Sequence, residues 1–267
     1  MIAESDVTTD PGARRLASRL LRQGSMFERL SRSPRTETTV HRLRVLSRRM
    51  RAACTVGRRL APADAVRELA RRLRRLGRAL GERRALDVAA ADYAALSGGR
   101  THPAIEAARA AAGAKLTRRI RARHRDTIIA AVRDAVDALR TAEPEPGALE
   151  RLLRIRGERV RESLRATGKK ELHRLRIEAK KLRYALETAR VMGHRTSRAG
   201  EIALKRLQRR LGRIHDLETL RHLLPPQDPM AIRAAAREAA LRAGVQAYSS
   251  SLRTFSPFAR GGNGRAP

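Results

Sequence analysis

The sequence predicts an all-α protein built as two pseudo-two-fold-related helical bundles, and three observations lead there. Apolar residues recur at helical spacing along nearly the whole chain, with no convincing alternating strand. Runs containing Pro or paired Gly separate the periodic segments. A basic helical pattern also occurs twice: HRLRVLSRRMR at 41–51 returns 132 residues later as HRLRIEAKKLR at 173–183. With three Phe, three Tyr and no Trp, the core must be Leu, Ala, Val and Ile packed between close helices.

Asp10 and Pro11 make a good helix start, with Pro at the first helical position, and the helix should reach about residue 30. Ser33 and Pro34 break it. The first repeat helix covers about 36–59. Ala61 and Pro62 open the next, at about 63–79. Gly81 is expected to bend the chain before a helix at about 83–96. Ser97, Gly98 and Gly99 form a loop, and one long helix follows at about 103–140. The Pro- and Glu-rich stretch 142–147 is the clearest linker and lies near the midpoint. Beyond it come helices at about 148–166, 170–191 and 197–211, then a short one near 214–222. Pro225 and Pro226 break the pattern before a last helix at about 229–251, and 256–267 reads as a disordered tail.

The later parts of the two halves match more loosely. Leu80, Gly81 and the residues to Asp87 align with Leu211, Gly212 and the residues to Glu218. Each half then reads as basic repeat helix, next helix, Leu-Gly bend and short helix with an acid. Halves at about 10–141 and 148–255 within one domain suggest a duplication, with a period too long for a solenoid of short repeats.

Sixty Lys and Arg stand against 27 Asp and Glu, a formal charge of +33, which attracts polyanions over long range. Only six of the sixty are Lys, so a taste for Arg explains the choice of base but not the excess over acids. Single-stranded nucleic-acid binders stack bases on aromatic rings, and few are present. Cys54, the single cysteine, excludes an intrachain disulfide and is expected to be a buried small hydrophobe. The N-terminal stretch lacks a basic start followed by an apolar run, and no 18-residue apolar stretch occurs. The expectation is a cytoplasmic protein without a membrane partner.

On a helix, His41, Arg44, Arg48 and Arg51 share one face, opposite Leu43, Leu46, Met50 and Cys54. Arg42 and Arg49 form a flanking stripe. The second copy places His173, Arg176, Lys180 and Arg183 together, opposite Leu175, Ala179, Leu182 and Leu186, with Arg174 and Lys181 on the flank. Each cationic stripe runs roughly 15 Å. A charge run is commonly a solvated face, but three features argue otherwise. Residues 38–63 hold seven Arg and no acid, although like charges at i,i+4 cost about 0.2–0.5 kcal/mol per pair. Both copies lead with His. Arg dominates, and its planar fork grips phosphate oxygens bidentately. Two such ridges predict a two-walled site for a large anion. A metal is not expected, because the leading histidines have Arg at i+1, i+3 and i+7 instead of further ligands. Neighbouring cations should depress His41 and His173, and a bound polyanion should raise them.

At VHRLRVLSRRMR (40–51), LHRLRIEAKKLRYALE (172–187) and the Leu-Gly-x-x-Arg-x-x-Asp-Val stretch ending at Val88, the chain resembles the CHAD family, the conserved histidine alpha-helical domain. The resemblance covers about 11–255. It implies two related helical bundles around a basic central channel, binding of inorganic polyphosphate, and recruitment to polyphosphate granules. Carried over by position, it implies polyphosphate contacts at His41, Arg42, Arg44, Arg48, Arg49, Arg51, His173, Arg174, Arg176, Lys180, Lys181 and Arg183. Ala85 departs from the family pattern, which has an acid there; the second half keeps Asp216. No ion pair from position 85 is therefore expected.

The leading expectation is a non-enzymatic polyphosphate binder with no cofactor. Arg118, Arg121, Arg125, Arg206, Arg209 and Arg213 are secondary candidates, equally well read as solvated faces. Non-specific nucleic-acid binding through charge alone is the alternative. A polyphosphate hydrolase or kinase would need metal-holding carboxylates or a phosphate-cradling Gly-rich loop, and neither is visible. Tyr184, one residue past Arg183, reads as a wall residue or as core, with core favoured, and His102, His124, His194 and His222 read as surface residues.

Overall fold

The computed structural model describes residues 10–33, 36–61, 64–164 and 168–251, among which the regular elements are nine α-helices. In chain order these are α1 (Pro11–Ser31), α2 (Glu37–Leu60), α3 (Asp64–Ser97), α4 (Pro103–Arg119), α5 (Ala122–Arg140), α6 (Ala148–Ser163), α7 (Lys169–Met192), α8 (Arg198–Leu223) and α9 (Pro229–Ser251). Pro34, Pro62 and the tail at 256–267 lie outside the described residues.

Local chemistry explains most boundaries. The Asp10 carboxylate accepts from the Gly12 and Ala13 amides, satisfying donors that a helix start leaves free, and Pro11 has no amide to orphan. Thr36 caps α2 through the Thr39 amide, and Ser197 caps α8 through Gly200. Gly98 and Gly99 take positive φ in the turn after α3.

Three expected boundaries differ. Neither Leu-Gly site bends the chain: α3 and α8 run unbroken through Gly81 and Gly212, so the short helices at 83–96 and 214–222 are the ends of longer ones. One helical glycine costs only about 1 kcal/mol relative to Ala, which tertiary packing outweighs here. The helix expected at 103–140 is instead two, parted at Ile120 and Arg121. Its first part packs on α3 and its second on α1 and α3. No acid lies between Glu106 and Asp126 to relieve the cations crowded around the break.

The halves pack reciprocally. Helix α2 lies on α7 and α3 on α8, each against its own counterpart, while α1 packs on α7 and α6 on α2. A matching pair of ion-pair locks joins the next helices. Asp87, buried on α3, accepts from Arg83 (2.9 Å) and from Arg109 of α4 (2.8 Å). Its counterpart Glu218 on α8 accepts from Arg242 of α9 (2.6 Å). Helix α5 completes a ring with α1, α2 and α3 and has no counterpart among the described residues. One apolar core runs through both halves, and a smaller cluster joins the ends of α3 and α8 to the starts of α4 and α9.

Candidate anion site

The apolar sides of both repeat helices are buried as their spacing requires. Leu43, Met50, Cys54, Leu175, Ala179 and Leu186 are fully inaccessible. Burying a Leu-sized side chain contributes roughly 1.5–3 kcal/mol, which fixes the rotation of each helix and so the direction of its cationic stripe. Burial pushes the Cys54 thiol up to about 12, consistent with an inert core residue.

Burial divides the twelve predicted contacts evenly. Arg44, Arg48 and Arg51 on α2, and Arg176, Lys180 and Arg183 on α7, are half-buried. His41, Arg42, Arg49, His173, Arg174 and Lys181 are exposed. The recessed set is the i, i+4, i+7 stripe of each copy, and across the α2–α7 contact the two stripes act on each other. Arg44 is lowered to about 10 by burial first, then by Arg48, Arg176 and Arg84. Arg176 is lowered by burial and then Arg48. Lys180 falls to about 7, from burial and then Arg176, Arg48 and Arg44. The acid opposing these effects on Lys180 is Asp216 of α8. Asp216 itself is held above the usual carboxylate range by burial and then Asp92, although Arg176, Arg213 and Lys180 pull it down. The four cations Arg44, Arg48, Arg176 and Lys180 thus share one groove, opposed by Asp216 and, at Arg176, also by Glu218.

Glycines on α3 make room for the ridge. A Cβ at Gly81 would lie 3.0 Å from Arg44 Nη1, and one at Gly77 would lie 3.3 Å from Arg51 Nη1. Arg44 Nη1 also donates to the Leu80 carbonyl (3.3 Å). On the first half the glycine of the Leu-Gly motif is therefore a berth for an arginine, not a bend. On the other half, Gly212 has nothing within 4 Å of its would-be Cβ, and Gln208 stands where α3 has Gly77.

Not every predicted cation is available. Arg49 Nε pairs with Glu187 of α7 (2.9 Å), and Lys181 pairs with Glu178 one turn back (2.6 Å). Arg183 Nε donates to Gln208 Oε1 (2.9 Å), and its guanidinium lies over the Tyr184 ring at 4.2 Å. Of the secondary candidates, Arg213 pairs with Asp92 of α3 and Arg125 with Asp126, while Arg118, Arg121, Arg206 and Arg209 are exposed.

The leading histidines each meet a partner from the next helix. His173 packs edge-on against His215, ring centroids 5.9 Å apart. His41 lies near Arg84, which aligns with His215. His41 is lowered by burial and then by Arg84, Arg44 and Arg48; His215 falls to about 4, from burial and then Arg176, Lys180 and His173. Arg84 is held by Glu37 at the start of α2. Sequence reasoning aligned Arg84, His215 and Asp216 without placing them in the site, although their alignment was the available signal.

Two side chains differ from expectation. Tyr184, read as core, is half-buried and borders a cavity of about 250 Å³ between α2 and α7, with Arg48, Arg51, Ala52, Thr55, Ile177 and Lys180. Its position one residue past Arg183 turns it from the fully apolar face. His102, read as surface, packs against Tyr93 with ring centroids 5.2 Å apart. Among the described residues no group of three or more His, Cys, Asp or Glu is placed to hold a metal ion. No described helix is long and apolar enough to cross a membrane.

The sequence matches the family model for the CHAD domain over residues 15–225. The fold is similar to the crystal structure of the CHAD domain from the plant Ricinus communis, with a TM-score of 0.69 and 20% identity over 94% of each chain. It is also similar to PptA from Streptomyces chartreusis, with a TM-score of 0.53 and 19% identity over 90% of this chain and 96% of that one. At such identities both likenesses speak for the fold alone. None of the curated proteins matches the sequence.

Proposed function

The chain belongs to the CHAD domain family, and on that premise we propose that it binds inorganic polyphosphate without altering it chemically. The observation that carries this reading is the facing of Arg44 and Arg48 on α2 with Arg176 and Lys180 on α7, close enough that Arg48 and Arg176 help to depress Arg44 and Lys180, with Asp216 as the opposing acid. Like charges held together in partial burial destabilise the empty groove, and a polyanion relieves that repulsion. Recession favours a thin ligand. The rigid cylinder of a nucleic-acid duplex presents its phosphates to exposed cations, whereas an unbranched phosphate chain can lie down among half-buried ones. Arg51 extends the groove, and His41, Arg42, His173 and Arg174 stand exposed along its flanks. Neutralising several phosphates releases counterions, so affinity should fall steeply with salt, by analogy with DNA. Binding of this kind would also bring the protein to polyphosphate granules.

Titration of labelled polyphosphate against wild type and the double variant Arg44→Glu/Arg176→Glu tests this reading. The double variant should lose binding by at least about a hundredfold, and polyphosphate should displace duplex DNA at equal phosphate concentration and physiological salt. Unchanged binding by the variant, or DNA winning that competition, overturns it. Phosphate released on incubation with magnesium would overturn the non-enzymatic part.

A further inference from the structure

The two repeats stop matching at one point in the groove. Arg48 answers Lys180 and Arg51 answers Arg183, but the next residue is Ala52 on α2 and Tyr184 on α7. The small side chain and the ring both line the 250 Å³ cavity, so the unequal pair leaves a slot instead of a filled contact. Thr55 and Ile177 continue its walls, and Ile177 is 37% exposed, an uncovered apolar surface beside a row of cations. The Arg183 guanidinium, 4.2 Å above the Tyr184 ring, holds the ring in orientation while the rest of it borders the cavity.

An inorganic phosphate chain has no apolar surface to set against Ala52, Ile177 and Tyr184. A ligand with phosphates at one end and a flat, largely apolar group at the other uses both parts of the cavity at once. We propose that this cavity is a subsite for the base of a nucleoside polyphosphate whose phosphates lie on Arg48, Arg51 and Lys180. The proposal rests on the polyanion reading above and goes beyond it by naming an organic ligand class.

Recognition should be by stacking and apolar contact more than by base edge. The neutral hydroxyl of Thr55 already donates to the Arg51 carbonyl (2.9 Å), which leaves it only an acceptor for a base. Purines should bind better than pyrimidines through stacked area, with adenine and guanine nearly equal.

The test displaces labelled polyphosphate from the full chain with adenosine tetraphosphate and with inorganic tetrapolyphosphate, at fixed pH and salt. The two carry the same number of phosphates, and the inorganic chain has the greater charge, so electrostatics alone favours it. The expected result is the reverse, with the nucleoside form about tenfold tighter. Tyr184→Ala should remove that advantage and leave inorganic tetrapolyphosphate within about twofold of wild type. Ala52→Leu fills the slot from the opposite wall and should do the same, which keeps the test alive if the first variant folds poorly. Equal or weaker binding of the nucleoside form by wild type overturns the subsite while sparing the polyphosphate reading. So does an advantage that survives both substitutions. Failure of both probes to displace the label overturns the subsite alone, whereas failure of labelled polyphosphate itself to bind overturns the polyphosphate reading.

Discussion

Lys180 should take up a proton when the groove fills. In the empty protein it is held at about 7, against 10.5 for an ordinary lysine, by burial and then by Arg176 on its own helix and Arg48 and Arg44 on α2, with Asp216 of α8 opposing. A phosphate chain laid among these cations reverses the balance and returns the ammonium toward its ordinary range. At about pH 8.5 a group titrating near 7 is only about 3% charged, so binding should draw in close to one proton. Above pH 7 the association constant should then fall up to about tenfold per pH unit, and below pH 7 this contribution should level off. His41 and His215 are depressed as well and titrate at more acidic pH, so about pH 8.5 isolates the lysine. Calorimetric titration in buffers of low and high ionisation enthalpy, at constant ionic strength, measures the uptake directly. Lys180→Arg, which stays charged, should abolish it. A wild-type uptake near zero, or one that persists in Lys180→Arg, refutes the reasoning. The same depression has the opposite sign for folding. The unfolded chain binds the extra proton between about 7 and 10.5, so ligand-free stability should rise with pH through that window, by at most about 1.4 kcal/mol per unit. Lys180→Gln should flatten the rise.

Arg44→Glu/Arg176→Glu should lose ligand yet keep or raise the thermal midpoint, because it replaces two mutually repelling cations; a fall of more than a few degrees would mean that the ridge stabilises the fold. Arg49→Gln and Lys181→Gln should weaken polyphosphate binding less than about threefold, since Glu187 and Glu178 already hold these side chains, whereas Arg48→Gln should weaken it at least about tenfold in the same titration. Asp87→Asn leaves Arg83 and Arg109 without their buried partner and should cost about 3 kcal/mol in urea denaturation with little change in affinity at 25 °C. Ala85→Asp restores to α3 the acid that α8 carries at Asp216; it should stabilise the empty protein by about 1 kcal/mol and weaken polyphosphate several-fold, and unchanged affinity would show that position 85 does not face the ligand.

What was legible in the sequence follows from how local the cause is. The rotation of α2 and α7 could be read because Leu43, Met50, Leu175 and Leu186 leave one side of each helix for the core. The cap at Asp10 and the breaks at Pro225 and Pro226 were equally local. The bend assigned to Gly81 was not, because the reason for that glycine is Arg44 arriving from another helix. The parting of α4 from α5 depends on which neighbours each half packs against, which no window of sequence contains. Within the site, spacing found the stripes but could not tell which cations are tied to Glu178, Glu187 or Gln208. Those partners lie a turn away on the same helix or 138 and 25 residues away in the chain.

The placement of the acids is the stronger argument that the groove is made for a ligand. With 27 carboxylates the chain could have neutralised its ridges, yet the acids nearest α2 and α7 serve elsewhere. Glu187 bridges the flank of α7 to Arg49, Glu178 holds Lys181 and Arg156, and Asp87 and Glu218 fasten α4 and α9. Asp92, which could have joined Asp216, is instead taken by Arg213. A surface shaped only for solubility would intersperse its charges. Here the ties lie outside the recessed stripe except at its end, where Gln208 and Glu187 hold Arg183, and Ala85 removes the counter-charge that symmetry offers on the first half. The α3 side of the groove is consequently the more positive, so a bound polyanion should lie closer to Arg44 and Arg48 than to Arg176 and Lys180.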